Sequence, residues 1–208
     1  SIMHLKHNVW LFKYVLDKKW CNNYIKKYKN KGFKTGKVGG DGSKITAQQN
    51  KKRRNSSVAF ITEKEAYEKI NPYIQKANKN ADWNFEVSWN EDMQFTRYTK
   101  GQYYNWHMDM WHRPYTNHRH IQYEGKTRKL SCSVLLNDPS EYSGGDLEIG
   151  NTNNVDTSLE ENKVNLKQYN LGQGSIIVFP GFIWHRVTPV TKGTRYSLVM
   201  WTLGKPYV

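Results

Sequence analysis

After Ala81 the spacing of bulky residues changes from a helical three-and-four rhythm to strict alternation, and the alternation recurs in short bursts as far as residue 202. Phe85, Val87 and Trp89 share one face of a strand, and a second strand runs from about Met93 to Thr99. Further strands are predicted at 103–109, 130–136, 146–149, 175–179, 183–188 and 195–202. Turn residues separate them, among them Asp138–Pro139, Gly144–Gly145, Pro180–Gly181 and Lys192–Gly193. Many short strands with no helices between them build a sandwich or jelly roll rather than a parallel α/β sheet.

Helices are confined to the N-terminal part. Residues 9–16 read as a strand, and Asp17 caps a helix whose stripe is Trp20, Tyr24, Ile25 and Tyr28, stopping near Gly32. From Lys26 to Arg54 there are eleven Lys or Arg against one acid, Asp41, with glycines at 32, 36, 39, 40 and 42. That composition predicts a flexible basic loop or lid over about 29–57 rather than a packed element. Thr62 and Glu65 have capping-box spacing, and Ala66, Tyr67, Ile70, Tyr73, Ile74 and Ala77 continue at helical spacing. Pro72 is expected to kink or split that helix. The organisation expected is one domain over 1–208, mostly β with N-terminal helices: a helical support region at about 1–82 and a jelly-roll core at about 83–208.

With 208 residues, 14% of them aromatic, the chain has enough bulky surface to fold as one domain, which excludes wholesale disorder. Its longest apolar runs are far short of a membrane span, and no secretory signal pattern is visible at the start, so no membrane association is expected. Two cysteines, Cys21 and Cys132, cannot form a disulfide scaffold, which favours a reducing, cytoplasmic compartment. Cys132 reads as a small buried strand residue. The net charge of +14 would attract polyanions. However, 24 Lys against 8 Arg also fits compositional drift, since phosphate recognition favours the arginine fork.

The densest chemical signal is the segment from Tyr98 to Asp109. Residues two apart on an extended chain point the same way, so His107 and Asp109 face a common pocket. A second imidazole, His185, follows 76 residues after Asp109 at the start of a late strand. Two histidines and one carboxylate on one face of an ion leave positions open, the pattern of non-haem Fe(II) oxygenases. Ten residues beyond His185, Arg195 shares a strand face with Ser197, Val199 and Trp201. A guanidinium buried there requires an anionic partner, and the distal carboxylate of a dicarboxylate cosubstrate would supply one. Tyr98 is a candidate phenol donor to the same carboxylate. His112, His118 and His120 read as solvated histidines of a polar loop.

These segments resemble the Fe(II)- and 2-oxoglutarate-dependent dioxygenase superfamily, in its prolyl 4-hydroxylase-like branch of small bacterial and phage proteins. The resemblance is carried by Tyr98-x-x-Gly101-x-x-Tyr104-x-x-His107-x-Asp109, by Arg128 to Pro139, by Tyr142 to Leu147, by Phe179 to Val190 and by Gly193 to Ser197, within about 85–203. It implies a double-stranded β-helix holding Fe(II) through His107, Asp109 and His185. It implies that Arg195 holds 2-oxoglutarate, helped by Tyr98 and by Ser131 or Ser197, with O2 as oxidant and ascorbate as reductant. Tyr104 and Trp201 would border the substrate, and Trp106, Trp184 and Trp201 would form aromatic walls. Collagen-type enzymes usually carry Lys where Arg195 stands, which moves this chain away from animal collagen modification.

The activity so implied is hydroxylation of peptidyl-proline, of the procollagen-proline dioxygenase type, with release of succinate and CO2, in a bacterial cell or a phage-infected host. The partner would be a proline-containing protein or peptide over which segments 32–43 and 111–127 fold. Two alternatives stand beside it. Oxidative demethylation of nucleic acid would use the charge, but the spacing around His107 follows the prolyl branch and no second arginine follows Arg195. A non-catalytic basic binding domain would not need a complete ligand set. Oligomeric state is left open by the sequence.

Overall fold

The computed structural model describes residues 5–38, 46–111, 113–150, 166–169 and 171–207, with the backbone alone for 166–169. In chain order the elements are β1 (Trp10–Phe12), α1 (Lys18–Tyr28), β2 (Lys34–Thr35), α2 (Ala47–Arg53), β3 (Arg54–Asn55), β4 (Ser57–Ile61) and α3 (Lys64–Asn80). There follow β5 (Trp89–Asn90), β6 (Met93–Tyr98), β7 (Tyr103–His107), β8 (Thr127–Leu135), β9 (Tyr142–Gly144), β10 (Leu147–Gly150) and β11 (Leu166–Tyr169). The last are β12 (Ile176–Pro180), β13 (His185–Val187), β14 (Val190–Gly193) and β15 (Arg195–Gly204).

The strands form a large antiparallel sheet in the order β1-β12-β8-β15-β6-β4-β2, with β5 also on β15, and a smaller sheet in the order β11-β10-β13-β7-β3. A two-stranded ribbon, β14-β9, is separate. This is the jelly roll expected from the alternation. Each central strand of the large sheet has two different faces. Met93 and Phe95 of β6, Leu130 and Val134 of β8, Ile176 and Val178 of β12, and Leu198 and Met200 of β15 join the helices in one apolar core. Their neighbours point towards the small sheet, where Tyr98, Leu135, Ile177 and Phe179 meet Tyr104, Leu147, Ile149 and Val187 in a second core. Burial on both faces makes register costly to shift, since a one-residue slip would exchange the two sets.

Helix α1 starts where predicted, with Asp17 accepting a hydrogen bond from the Trp20 backbone at 3.1 Å. It packs Cys21, Tyr24 and Tyr28 against the sheet, and α3 adds Ala66, Ile70, Ile74 and Ala77. Phe95 is fully buried at the centre, its ring 5.6 Å from Tyr196, 5.9 Å from Phe33 and 6.1 Å from Tyr28.

Several expectations are corrected. Within the basic stretch 29–57 the described residues hold β2, α2 and β3 where a loop was expected, while 39–45 lie outside the described residues; α2 has a capping box of Thr46 with Gln49, and β3 pairs with Tyr103 and Tyr104. The boundary at residue 82 does not separate helices from sheet, because β1, β2 and β4 all belong to the large sheet. Strand β4, with Val58, Ala59 and Ile61 buried, is hidden in the sequence by the basic residues just before it. Helix α3 begins one residue later than the Thr62 capping box implies, because its cap residue Glu63 accepts from Lys27 and Tyr28 of α1. The helix also passes Pro72 without splitting, with Ile70 and Ile74 buried on either side. No strand forms over 85–88: the Asn78 side chain bonds both the N–H and the C=O of Phe85 at 2.9 Å, in place of a neighbouring strand.

Replacing Phe95 with alanine should destabilise the protein by about 3–5 kcal/mol, because the cavity left between α1 and the sheet cannot close. Urea unfolding of the two proteins measures it; a loss below about 1 kcal/mol would show that this aromatic cluster is not the joint between helix and sheet.

Candidate active site

His107, Asp109 and His185 come together between the two sheets, their ligand atoms all within 4.8 Å of one another. Strands β7 and β13 bring the two histidines side by side, paired directly in register. Two residues further along β13, Val187 pairs with Tyr104, so β7 carries one residue more than its partner between these pairs. That bulge turns Tyr104 and His107, three apart, onto the same face. Their rings lie 3.5 Å apart between centroids. Asp109 is anchored by its backbone: the N–H groups of Asp109 and Met110 donate to the Gly181 carbonyl at 3.0 and 2.9 Å. Gly181 cannot carry a side chain, since a Cβ would stand 2.3 Å from the Arg128 carbonyl oxygen.

The hydrogen bonds orient the rings for metal binding. His107 Nδ1 lies 2.7 Å from the Asn105 carbonyl and His185 Nδ1 2.9 Å from the Ile183 carbonyl. A carbonyl only accepts, so both Nδ1 atoms carry the proton and both Nε2 atoms face Asp109, at 3.3 and 3.4 Å. Burial, reinforced by neighbouring His185, pushes His107 down to about 4, so this imidazole is neutral. Burial also works against charge on His185, but the Asp109 carboxylate outweighs it and raises that imidazole. Burial alone would raise Asp109; the two imidazoles win and hold it well below the usual carboxylate range. The result is a carboxylate and two Nε2 atoms converging on one point, the donor set for a divalent transition metal.

The same cavity is lined by Arg195, Ser197, Val199 and Trp201 from β15, by Gln94, Thr96 and Tyr98 from β6, and by Tyr104, Ser131 and Arg54. The expectation that Arg195, Ser197, Val199 and Trp201 share a face holds. Arg195 is buried opposite Tyr98 in the register. Its Nε, the Thr96 hydroxyl and the Trp201 indole nitrogen are buried without a hydrogen-bond partner. Three such groups around one cavity suit an acceptor-rich guest such as a dicarboxylate. Tyr98 and Tyr104 are held protonated by burial, Tyr98 raised and Tyr104 pushed up to about 12, so both phenols are neutral donors. The Ser131 hydroxyl donates to Asp109 Oδ2 at 2.7 Å, which commits it to the carboxylate. Ser197 lines the same cavity, and among the described residues no hydrogen bond commits its hydroxyl.

Trp106 and Trp184 do not line the cavity. The bulge that turns Tyr104 and His107 inward leaves Trp106 under the Arg186 guanidinium, 5.0 Å from its ring. Segment 111–127 is a packed loop: Tyr115 stacks edge-on to Trp111 and Tyr123, and its backbone bonds Lys126 and Gly125. His118 lies flat on Tyr123 at 4.0 Å and His120 is exposed, while His112 lies outside the described residues.

Sequence reasoning missed several site groups: Thr96, which shares a β6 face with Tyr98, and two arginines. Arg54 reaches the cavity from β3, its guanidinium 4.5 Å from the Tyr104 ring centre. Arg128 pairs in bidentate fashion with Glu91 at 2.9 and 2.8 Å and stacks on Trp201 at 3.8 Å and Trp111 at 4.7 Å. Its stack ties the outer loop to the cavity wall. Arg54 sits in a run of basic residues, and Arg128, although it opens one of the segments that carry the resemblance, has its partner Glu91 37 positions away, so neither position shows its role locally.

Residues 93–203 match the family model of the 2OG-Fe(II) oxygenase superfamily, more than half of the chain. The chain belongs to that superfamily. A PKHD-type hydroxylase of Pseudoalteromonas atlantica is 33% identical over 109 residues, 52% of this chain and 41% of the relative, so the match spans less than half the relative's length. The fold is similar to the viral collagen prolyl hydroxylase of Paramecium Bursaria Chlorella virus-1 in its 2OG complex, with TM-score 0.65 and 18% identity, covering 96% of this chain and 97% of that one. It is also similar to a Trichoplax adhaerens prolyl hydroxylase in complex with a hypoxia inducible factor peptide fragment, at TM-score 0.61 and 14% identity, covering 95% and 84%. The chain is thus a member of the 2OG-Fe(II) oxygenase superfamily with a prolyl hydroxylase-like fold. Among the described residues no helix is long and apolar enough to cross a membrane.

Ser131→Ala removes the hydroxyl that orients Asp109 and should weaken Fe(II) binding by about tenfold, with the fold intact. Competition against a chelator of known affinity measures this; unchanged iron affinity would show that Ser131 does not orient the carboxylate.

Proposed function

We propose that this protein hydroxylates an unactivated carbon of a proline-containing protein or peptide, converting 2-oxoglutarate to succinate and CO2. The observation that carries this is the joint presence, in one buried cavity, of the His107–Asp109–His185 cluster and the Arg195 guanidinium, whose Nε has no hydrogen-bond partner. In this reading His107 Nε2, Asp109 and His185 Nε2 hold Fe(II). Arg195, with Tyr98, Thr96 and Ser197 beside it, holds the distal carboxylate of 2-oxoglutarate. The bound iron and cosubstrate supply the oxidising chemistry with O2. The chain's own part is orientation and exclusion of water. The bulge in β7 and the Gly181 carbonyl fix the ligand directions, and Ser131 keeps Asp109 turned towards the imidazoles.

Tyr104 and Trp201 form the substrate walls. Trp201 is kept in place by Arg128, which is itself held by Glu91 and covered by Trp111. Two aromatic side chains lining the cavity beside the His107–Asp109–His185 cluster suit a proline ring, and the peptide bound to the Trichoplax relative is in keeping with a chain-like substrate. The packed loop 111–127 is the element that would border an extended peptide. A cytoplasmic location, and ascorbate as reductant, are part of the same proposal.

Anaerobic addition of Fe(II) and 2-oxoglutarate should produce the visible charge-transfer band of the metal-bound cosubstrate. The band should vanish in Asp109→Ala. In Arg195→Gln it should appear only at roughly a hundredfold higher 2-oxoglutarate, with iron affinity retained, because a charge-assisted bidentate pair is lost. A folded wild-type protein without the band would overturn the reading. Proline-containing peptides can then be screened by succinate release and a mass gain of one oxygen atom.

A further inference from the structure

Arg54 is the charge in the cavity that the proposed chemistry leaves without a counterion. Its residue is 4% exposed. It is held rigidly by three neutral acceptors: Nε donates to the Ser56 hydroxyl at 2.7 Å, one terminal nitrogen to the Lys37 carbonyl at 3.0 Å, and the other to Gln94 Oε1 at 3.2 Å. Among the described residues neither Arg54 nor Arg195 forms an ion pair with a carboxylate. A buried guanidinium without a counterion is costly, and hydrogen bonds to neutral acceptors fix its direction without cancelling its charge.

The charges in the loaded cavity can be followed one by one. Two positive charges on Fe(II) and one on Arg195 meet the Asp109 carboxylate and the two carboxylates of 2-oxoglutarate. That set is neutral. The Glu91–Arg128 pair beside it is neutral as well. Among the described residues of the cavity Arg54 alone remains, against the face of Tyr104, whose ring also touches His107. Two of its five N–H groups are not used by the three bonds above.

We propose that Arg54 pairs with a carboxylate of the substrate, so that the oxidised carbon lies a few bonds from an anionic group. This rests on the oxygenase reading above and narrows its substrate class. The carboxylate has two possible sources: the α-carboxylate of a free or chain-terminal residue, or the side chain of an acidic residue next to the one oxidised. Arg54 is thereby a specificity residue that touches substrate, contributed by a segment outside residues 93–203.

The test uses the anaerobic Fe(II)–2-oxoglutarate complex of the whole protein, with binding read from perturbation of its charge-transfer band. N-acetylproline is compared with its amide, and N-acetylprolyl-aspartate diamide with the asparagine equivalent. In the wild type one acidic probe should bind at least about tenfold more tightly than its neutral partner, and which pair shows the preference identifies the source. Arg54→Gln should abolish the preference while leaving 2-oxoglutarate affinity within about twofold, and Arg54→Lys should keep part of it. An intact band in Arg54→Gln shows that the variant folds. Equal binding of acid and neutral probes, or binding of neither with the band intact, overturns the inference alone. A large loss of 2-oxoglutarate affinity in Arg54→Gln also overturns it, making Arg54 a cosubstrate residue. Absence of the band in the wild type overturns the oxygenase reading and this inference with it.

Discussion

A carboxylate that is 6% exposed and must stay ionised is the demand around which the site is organised. Asp109 meets it with Ser131 on one oxygen, an imidazole towards each oxygen, and a backbone locked to Gly181. Each support comes from a different part of the chain: β8, β7, β13 and the turn after β12. The ion site therefore exists only when both sheets are assembled, and assembly of the sheets is what fixes its geometry. The backbone carbonyls of Asn105 and Ile183 complete the arrangement by setting both imidazole tautomers, so no further charged residue is required beside the proposed metal ligands.

The large sheet makes such a polar interior affordable in energetic terms. Its helix-facing residues are almost all apolar and fully buried, from Phe95 to Ile176 and Met200. That burial stabilises the fold independently of the opposite face, at roughly 25 cal/mol for each Å² of apolar surface removed from water. The opposite face can then carry Arg195, Ser197, Thr96 and Ser131, groups that an ordinary sandwich core would exclude. Three of the unpartnered buried polar atoms, on Thr96, Arg195 and Trp201, lie around that cavity.

Much of this was legible in residue spacing. Alternation identified the central strands β6, β8, β12 and β15, and the separations among His107, Asp109, His185 and Arg195 marked the chemistry. What escaped has physical causes. The bulge in β7 depends on pairing with β13, so the inward turn of Tyr104 and the outward position of Trp106 cannot be read from a period of two. Asn78 satisfies the Phe85 backbone from a helix end, and no strand pattern can anticipate that substitution. Arg54 was concealed by its own neighbourhood, since one buried arginine among solvated lysines has no local signature. Glu91 and Arg128 each look like surface charges until folding brings them together between Trp111 and Trp201.

The proposed metal ligands and Arg195 all fall within 93–203, whereas Arg54 reaches the same cavity from β3, ahead of that segment. Two proteins that agree throughout the shared segment would still differ in the electrostatic character of their cavities if one lacked this arginine. Divergence in such a lineage can proceed by rewriting the N-terminal flank while the catalytic apparatus is inherited intact, and alignments restricted to the shared segment would record no change.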